Sequence, residues 1–323
     1  MSRISDFIKW RDNSRCSGTD SNSTRQANMW SKLAAVTALL VGILIGLWLL
    51  DDNKLDTIKG KRVLVTGAST GIGEQLAYHY ARLGAHVAVT ARRKDVLNQV
   101  IERCKQISPQ NLTHFAIAAD MSQLNQTQLV IEEAIALLGG LDIVVLNHIA
   151  SLPISLFTGS PENLTSFDRI TEVNFKSYVY LASYALPQII ANHGSIVVVN
   201  SLLGRIPHAF LGTYAASKHA LRGFFESLRN QFSLLKQDVA VTICTLGLIG
   251  TDNAIEQLKS CTFDKTLATI SPASPVDTAL AIVTANARRQ NDLYFPFWST
   301  WSISLLRSLF PQTSDWIMVT LIY

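Results

Sequence analysis

Thr66-Gly67-Ala68-Ser69-Thr70-Gly71-Ile72-Gly73 follows directly on the β-branched run Arg62-Val63-Leu64-Val65-Thr66 and leads into a stretch with helical spacing, Gly73 to Leu83. Gly67 permits a sharp turn, Gly71 lets the backbone approach a pyrophosphate, and Gly73 lets helix and strand pack closely. The helix N-terminus adds free N–H groups and positive potential, both suited to phosphate. A glycine trio alone also fits a tight turn that binds nothing. The strand-turn-helix setting makes it a dinucleotide signature.

Outward from this turn, short apolar runs alternate with longer helical patterns. His86–Thr90, His114–Ala118, Asp142–Leu146, Ser195–Asn200, Val239–Leu246 and Asp292–Phe295 read as strands. Helices are expected over Asp95–Ile107, Gln126–Leu138, Asp168–Ala191 and Tyr214–Leu235. Strands that are continuously apolar and separated by helices imply a parallel sheet covered on both faces. Right-handed crossovers then give an α/β fold with a doubly wound (Rossmann) parallel sheet, a single domain over 54–295.

The end of the second strand decides which dinucleotide fits. An NAD site needs an acid there for the ribose hydroxyls, and that acid would repel a 2'-phosphate. Here the strand ends Thr90-Ala91-Arg92-Arg93-Lys94. Arg92 or Arg93 can form a forked, charge-assisted contact to a 2'-phosphate, so NADP(H) is expected. No metal is expected.

Tyr214-Ala215-Ala216-Ser217-Lys218 sets a phenol and an amine one turn apart on a helix, and Ser201 follows the strand Ser195–Asn200 at the carboxyl edge of the sheet. A free tyrosine has a pKa of about 10, so a neighbouring ammonium and the nicotinamide charge are needed to favour the phenolate. Tyr214 would then exchange a proton with the substrate oxygen, and Ser201 would hold that oxygen as charge develops.

The glycine turn, Asn147, Asn174 in Val173-Asn174-Phe175, Ser201 and Tyr214-x-x-x-Lys218, in this order and spacing, resemble the short-chain dehydrogenase/reductase family over roughly 58–295. The resemblance implies a Ser-Tyr-Lys-Asn catalytic group in which Asn174 keeps a helix irregular and holds a water linking Lys218 to solvent. It also implies that Asn147 steadies the central sheet near the cofactor and that Asp120 and Met121 lie against the adenine. Ser69, Thr70, Ile72, Ile149, Ile249 and Thr251 are implied as further cofactor contacts.

A narrower set, including GAHVAVTARRKDVL (84–97), GGLDIVVLNHI (139–149) and YAASKHALRGFFESLR (214–229), is similar to the microsomal 11β-hydroxysteroid dehydrogenases of the type 1 kind. It shares with them Asn147-His148, where most relatives have Asn-Ala. That group implies NADPH-linked ketosteroid reduction by an anchored enzyme with a lumenal domain, and helices 168–191 and 214–235 resemble the family's dimer face. His208 and Phe210 stand where that group contacts steroid, and Asn253 replaces a hydroxyl residue expected near the nicotinamide. The substrate is therefore expected to be lipophilic, bound at Ser201, His208 and Tyr214, with an 11-ketosteroid, a retinoid or another lipid carbonyl all open. A dinucleotide-binding scaffold without turnover is the rival reading, since fold does not guarantee activity.

The 323 residues are 48% hydrophobic and 16% charged with only four cysteines, which excludes a disordered chain or a disulfide-built miniprotein. The formal charge of +4 is concentrated in a polar leader, residues 1–32, where Arg3, Lys9, Arg11, Arg15, Arg25 and Lys32 face three aspartates. No basic stripe for nucleic acid remains elsewhere.

Residues 33–50, LAAVTALLVGILIGLWLL, carry no charge, and as a helix would span about 27 Å, close to a bilayer's hydrocarbon thickness. A cleaved signal peptide is disfavoured by the long leader and by Asp51-Asp52 after the run. A single-pass anchor in the endoplasmic reticulum membrane is expected, with Arg25 and Lys32 on the cytosolic side and the large domain lumenal. Sequons at Asn111, Asn125 and Asn163 agree with that side, whereas one at Asn22 does not. Cys104, Cys244 and Cys261 read as buried or free thiols. The extension 296–323 is rich in Phe, Trp and Leu and fits a bilayer interface, a dimer contact or a core-covering helix pair.

Overall fold

A computed structural model describes residues 29–32, 34–39, 42, 52–109, 112–150, 154–259 and 271–322. The chain divides into two compact units, Met1–Asn53 and Lys54–Tyr323. In the first, 29–32 and 34–39 are helical and exposed. The rest of the expected span 33–50 lies largely outside the described residues, as do Asn22, Asn111 and Cys261. Among the described residues no helix is long and apolar enough to cross a membrane.

The second unit is built on seven parallel strands. These are β1 (Arg62–Thr66), β2 (His86–Ala91), β3 (His114–Ala118), β4 (Ile143–Leu146), β5 (Ser195–Ser201), β6 (Ala240–Leu246) and β7 (Asp292–Phe295). Their order in the sheet is β3-β2-β1-β4-β5-β6-β7. The order reverses between β1 and β4, which opens a crevice at the carboxyl ends of those two strands.

Between the strands run α1 (Gly71–Arg82), α2 (Lys94–Ile107), α3 (Leu124–Leu138), α4 (Pro161–Thr171), α5 (Ser177–Ala191), α6 (Gly212–Leu234), α7 (Asp252–Lys259) and α8 (Pro275–Ala287). Alternation along each strand sends successive side chains to opposite faces. Val63, Val65, Val145 and Val197 meet Leu76, Tyr80 and Ile282 on one face. Leu64, Val144, Leu146 and Val198 meet Val130, Tyr178 and Phe225 on the other. Each such side chain fully buried is worth about 1.5–3 kcal/mol. At the edge remote from the crevice, Asp142 accepts from Arg62 Nε at 2.8 Å and from Arg62 Nη2 at 2.7 Å, locking β1 to β4.

Two departures from the sequence reading have physical causes. The helix expected over 168–191 begins at Pro161, because Ser160 Oγ accepts from Asn163 N at 3.3 Å and caps it with proline in the first turn. The same helical run is widened by a π-turn at Glu172–Lys176 that contains Asn174, the irregularity that the family resemblance implies there. Helix α8 gave no strong periodic signal, since it is apolar nearly all round, yet Ser274 caps it and Pro275 starts it.

The extension forms α9 (Phe297–Leu309), α10 (Pro311–Ile317) and a π-turn, Met318–Ile322. Its polarity is inverted. Thr300, Ser304 and Ser314 are buried while Trp298 is 77% exposed and Leu309, Phe310 and Trp316 are exposed too. The buried hydroxyls remain satisfied: Thr300 Oγ1 donates to Pro296 O at 2.7 Å and Ser304 Oγ to Thr300 O at 2.7 Å.

Candidate active site

The turn after β1 is shaped by what a side chain would strike. Gly67 and Gly71 both have φ of 65°, a left-handed conformation that favours glycine. A Cβ on Gly73 would lie 2.2 Å from Gly67 O, and one on Gly67 would lie 2.6 Å from His148 Cα. Asn147 pins the turn from β4: its Nδ2 donates to Thr66 O at 3.0 Å and to Gly67 O at 3.2 Å. Thr70, at the helix cap, makes no side-chain hydrogen bond to the first turn of α1, whose N–H groups face the crevice mouth.

Around this turn stand most of the other expected cofactor residues. Arg93 Nη2 reaches Ser69 Oγ at 3.4 Å, and Arg92 and Arg93 are both exposed beside it. Thr90 Oγ1, at the end of β2, is buried without a partner. Asp120 Oδ1 accepts from Ser122 N at 3.0 Å, and Met121 is buried after β3. Ile149 is exposed beyond β4. Thr251 meets the turn from the far side, where a Cβ on Gly71 would lie 3.0 Å from its Cγ2. Ile249 is buried behind it, and Ile72 packs against the same core. Gly67 and Gly73, which leave no room for a side chain, Gly71 with its left-handed backbone and an uncapped helix start fit the pyrophosphate of a dinucleotide.

Ser201, Tyr214 and Lys218 converge at the carboxyl ends of β5 and α6's first turns. Ser201 stands close enough to the Tyr214 hydroxyl to lower its pKa. Lys218 is 1% exposed, and its Nζ donates to Val199 O at 3.0 Å. The amine lies 5.7 Å from the Tyr214 ring centre and 5.4 Å from that of Tyr178. Burial pushes Lys218 down to about 7 and Tyr214 up to about 12, the Ser201 contact opposing the latter. Burial alone thus holds the phenol protonated, and the phenolate expected from the sequence also requires the positive charge of the nicotinamide.

Asn174 is buried in the π-turn. Its Oδ1 accepts from Ala150 N at 2.8 Å, while Nδ2 has no partner. A buried amide left half-satisfied is costly in a finished core and marks a place for a further hydrogen-bonding group. Asn200 completes the frame, with Nδ2 donating to Lys218 O at 3.1 Å and Oδ1 accepting from Ser201 N at 2.8 Å. Sequence reading missed Asn200, and its position directly before Ser201 was the available signal.

Beside Tyr214 opens a cleft walled by Phe157, Ile170, Phe210 and Leu211, with Ser155, Asn163, Ser166 and Thr213 among its polar groups. Phe210 reaches this cleft and His208 is not among its lining residues. His208 instead turns toward Phe210, its ring 6.3 Å away and its Nδ1 accepting from Phe210 N at 3.4 Å. Asn253 is exposed on α7. Phe157 and Ile170 were not singled out from sequence, because an isolated apolar residue on a loop or short helix carries no periodic signal.

The family model for short chain dehydrogenases matches residues 61–261. The chain is 44% identical over 268 residues to a hydroxysteroid 11-beta-dehydrogenase 1-like protein of Xenopus tropicalis, covering 83% of this chain and 90% of that one. It is also similar to a 3-oxoacyl (acyl-carrier-protein) reductase from Agrobacterium tumefaciens solved with NADP bound. That match has 25% identity and a TM-score of 0.65, covering 74% of this chain and 95% of that one. A short chain dehydrogenase/reductase from Burkholderia phymatum solved with NAD shares the fold, with 18% identity and a TM-score of 0.68 over 78% of this chain and 94% of that one.

Proposed function

Since the chain belongs to the short-chain dehydrogenase/reductase family and is an oxidoreductase of it, we propose that it uses NADP(H) to interconvert a ketone and a secondary alcohol on a lipophilic, steroid-like molecule. The observation that carries this reading is the meeting of Ser201, Tyr214 and Lys218 beside a cleft of mixed polar and apolar lining. When bound, the dinucleotide supplies or accepts the hydride. Gly67, Gly71 and Gly73 with the start of α1 would hold its pyrophosphate, and Arg92 or Arg93 its 2'-phosphate.

In the reducing direction the Tyr214 hydroxyl donates its proton to the carbonyl oxygen, and Ser201 holds that oxygen through its own hydroxyl. Lys218, in its charged form, steadies the phenolate that remains. Asn174 offers its free amide to a water through which the proton is replaced. Phe157, Ile170 and Phe210 would give a lipophilic substrate apolar contact, with Ser155, Asn163 and Ser166 beside them. An 11-ketosteroid is the preferred substrate class, supported by the name of the Xenopus relative. A retinoid or other lipid carbonyl is the second reading, favoured by the same apolar walls.

A single-pass anchor at 33–50 would hold the domain on the lumenal side of the endoplasmic reticulum membrane, and the inverted surface of α9 suits a lipid interface. Three exposed tryptophans on that extension support this, because indole prefers the headgroup layer. Homodimerisation through α5 and α6 is part of the same reading, supported by Tyr180 and Tyr184, exposed on α5. Of the sequons, Asn125 is exposed at the start of α3, and glycosidase sensitivity there tests the side of the membrane. The activity is tested by offering membranes that carry the chain 11-ketosteroids, retinal and aromatic ketones with NADPH or NADH. NADPH-driven reduction of the ketosteroid is expected, and equal rates with both nucleotides contradict the cofactor assignment.

A further inference from the structure

His148 follows Asn147 at the end of β4 and is almost wholly buried. Both ring nitrogens are engaged: Nδ1 lies 2.8 Å from Thr66 Oγ1, and Nε2 lies 2.7 Å from Ser177 Oγ. Thr66 ends β1 directly beneath the glycine turn, and Ser177 opens α5 directly after the π-turn that holds Asn174. The His148 carbonyl accepts from Tyr178 Oη at 2.7 Å, and the two rings are 4.6 Å apart. The other side of this contact reaches the proton-transfer group, because the Tyr178 ring lies 5.4 Å from Lys218 Nζ.

A proton count constrains the ring. Thr66 Oγ1 is also 3.1 Å from Val145 O, and Ser177 Oγ is 2.7 Å from Val173 O. The row Val145 O, Thr66, His148, Ser177, Val173 O therefore has four links. Two hydroxyls and a neutral imidazole bring three hydrogens to it, so one link is always unfilled. An imidazolium would fill all four. Burial and the neighbouring Lys218 amine oppose that charge, Asp120 and the Val173 carbonyl favour it more weakly, and the pKa is pushed down to about 3. The ring is consequently a neutral bridge in the working range, and a histidine earns such a place by bonding at both ends at once.

We propose that His148 is a positioning residue that links the dinucleotide turn to the proton-transfer group: seated on Thr66 at one end and on Ser177 and Tyr178 at the other, it fixes where the Lys218 amine stands. This rests on the roles given above to Tyr214 and Lys218. The nucleotide's seating on the turn is thereby felt at the π-turn and at the amine, without His148 touching substrate.

The test uses the full chain with His148→Phe, which keeps a ring in place but removes both bonds, and Ser177→Ala, which removes one. Three readouts are taken: NADPH affinity from nucleotide fluorescence, hydrogen exchange over residues 172–178 with and without NADPH, and the pH profile of kcat. His148→Phe is expected to bind NADPH within about threefold of the parent chain and to lower kcat by about tenfold or more. The lysine-controlled limb of its pH profile moves, and the protection that NADPH confers on 172–178 disappears. Ser177→Ala moves all of these in the same direction by less. Parental kcat, pH limb and protection in His148→Phe overturn the proposal and leave the ring as packing. If His148→Phe does not fold, an unchanged protection pattern and pH limb in Ser177→Ala overturn it equally. Tyr214→Phe separates the two readings: residual turnover there defeats the catalytic assignment, while nucleotide-induced protection, which needs no turnover, still judges His148.

Discussion

Helix α6 and helix α9 are both amphipathic, and they are sorted in opposite senses. Helix α6 buries Leu221, Phe225, Leu228 and Phe232 against the sheet. Helix α9 buries Thr300 and Ser304 and leaves Trp298, Leu305 and Leu309 outside. The first follows from the hydrophobic effect in water, which places apolar surface inside. In the second, small hydroxyl residues let the helix sit close to Gly247, where a Cβ would lie 3.0 Å from Thr300 Cγ2, and the large apolar groups are left for another surface. An exposed apolar patch of this kind marks an interaction site. The difference is one of packing: α6 is held by its apolar face, and α9 by small hydroxyl residues.

Substitutions on the two helices should therefore diverge. Phe225→Ala empties a fully buried site on α6 and should cost about 3–5 kcal/mol in a denaturant titration. A loss below about 1 kcal/mol would show that α6 is not held as described. Removing Arg92 and Arg93 together should raise KM for NADPH about 10–100-fold, and the KM for NADH far less, with folding unchanged. Equal losses would place the reading of the 2'-phosphate elsewhere.

The core also carries a pH signature. His114 and His148 are held neutral by burial, at about 4 and about 3. Below about 6.5 the unfolded chain takes up protons that the folded chain refuses, so their stability contribution is complete above that pH and is lost as pH falls toward the folded values. Melts at pH 7 and pH 5 should differ by roughly 1–2 kcal/mol per ring, and His114→Phe should reduce the slope. A slope unchanged by that substitution would point to other groups.

The smallest effect belongs to Trp298→Ala, which in detergent should alter stability by less than about 0.5 kcal/mol. Vesicles sharpen the contrast. All six tryptophans lie at positions 10, 30, 48, 298, 301 and 316, outside the catalytic fold. With the first three changed to Phe, brominated lipid should quench those of the extension, and unquenched emission would assign the apolar face to a protein partner instead.

What was legible in the sequence follows from how local each signal is. The central strands could be read because a strand covered on both faces is a continuous apolar run, as in Ile143–Leu146 and Ser195–Asn200, whereas β7 at the edge, Asp292-Leu293-Tyr294-Phe295, gives a weaker signal. The glycine turn was legible because its steric demands act within eight consecutive residues. Tyr214 and Lys218 were legible because one helical turn brings them together. The cleft was not, since Phe157, Ile170 and Phe210 come from three separate segments that only the tertiary fold unites. His148 was noticed as uncommon but given no role, because its partners Thr66 and Ser177 lie on distant strands and helices. The raised Tyr214 was hidden for a related reason: desolvation depends on everything packed around the phenol, which spacing does not reveal.

The central claim is that the Tyr214 hydroxyl moves the proton in an NADP(H)-linked oxidoreduction, and single-turnover kinetics of Tyr214→Phe against the parent chain, with NADPH binding followed in the same samples, test it most directly. The account predicts intact NADPH binding and a chemical step slowed by at least about a hundredfold. Parental rates in the variant would contradict it.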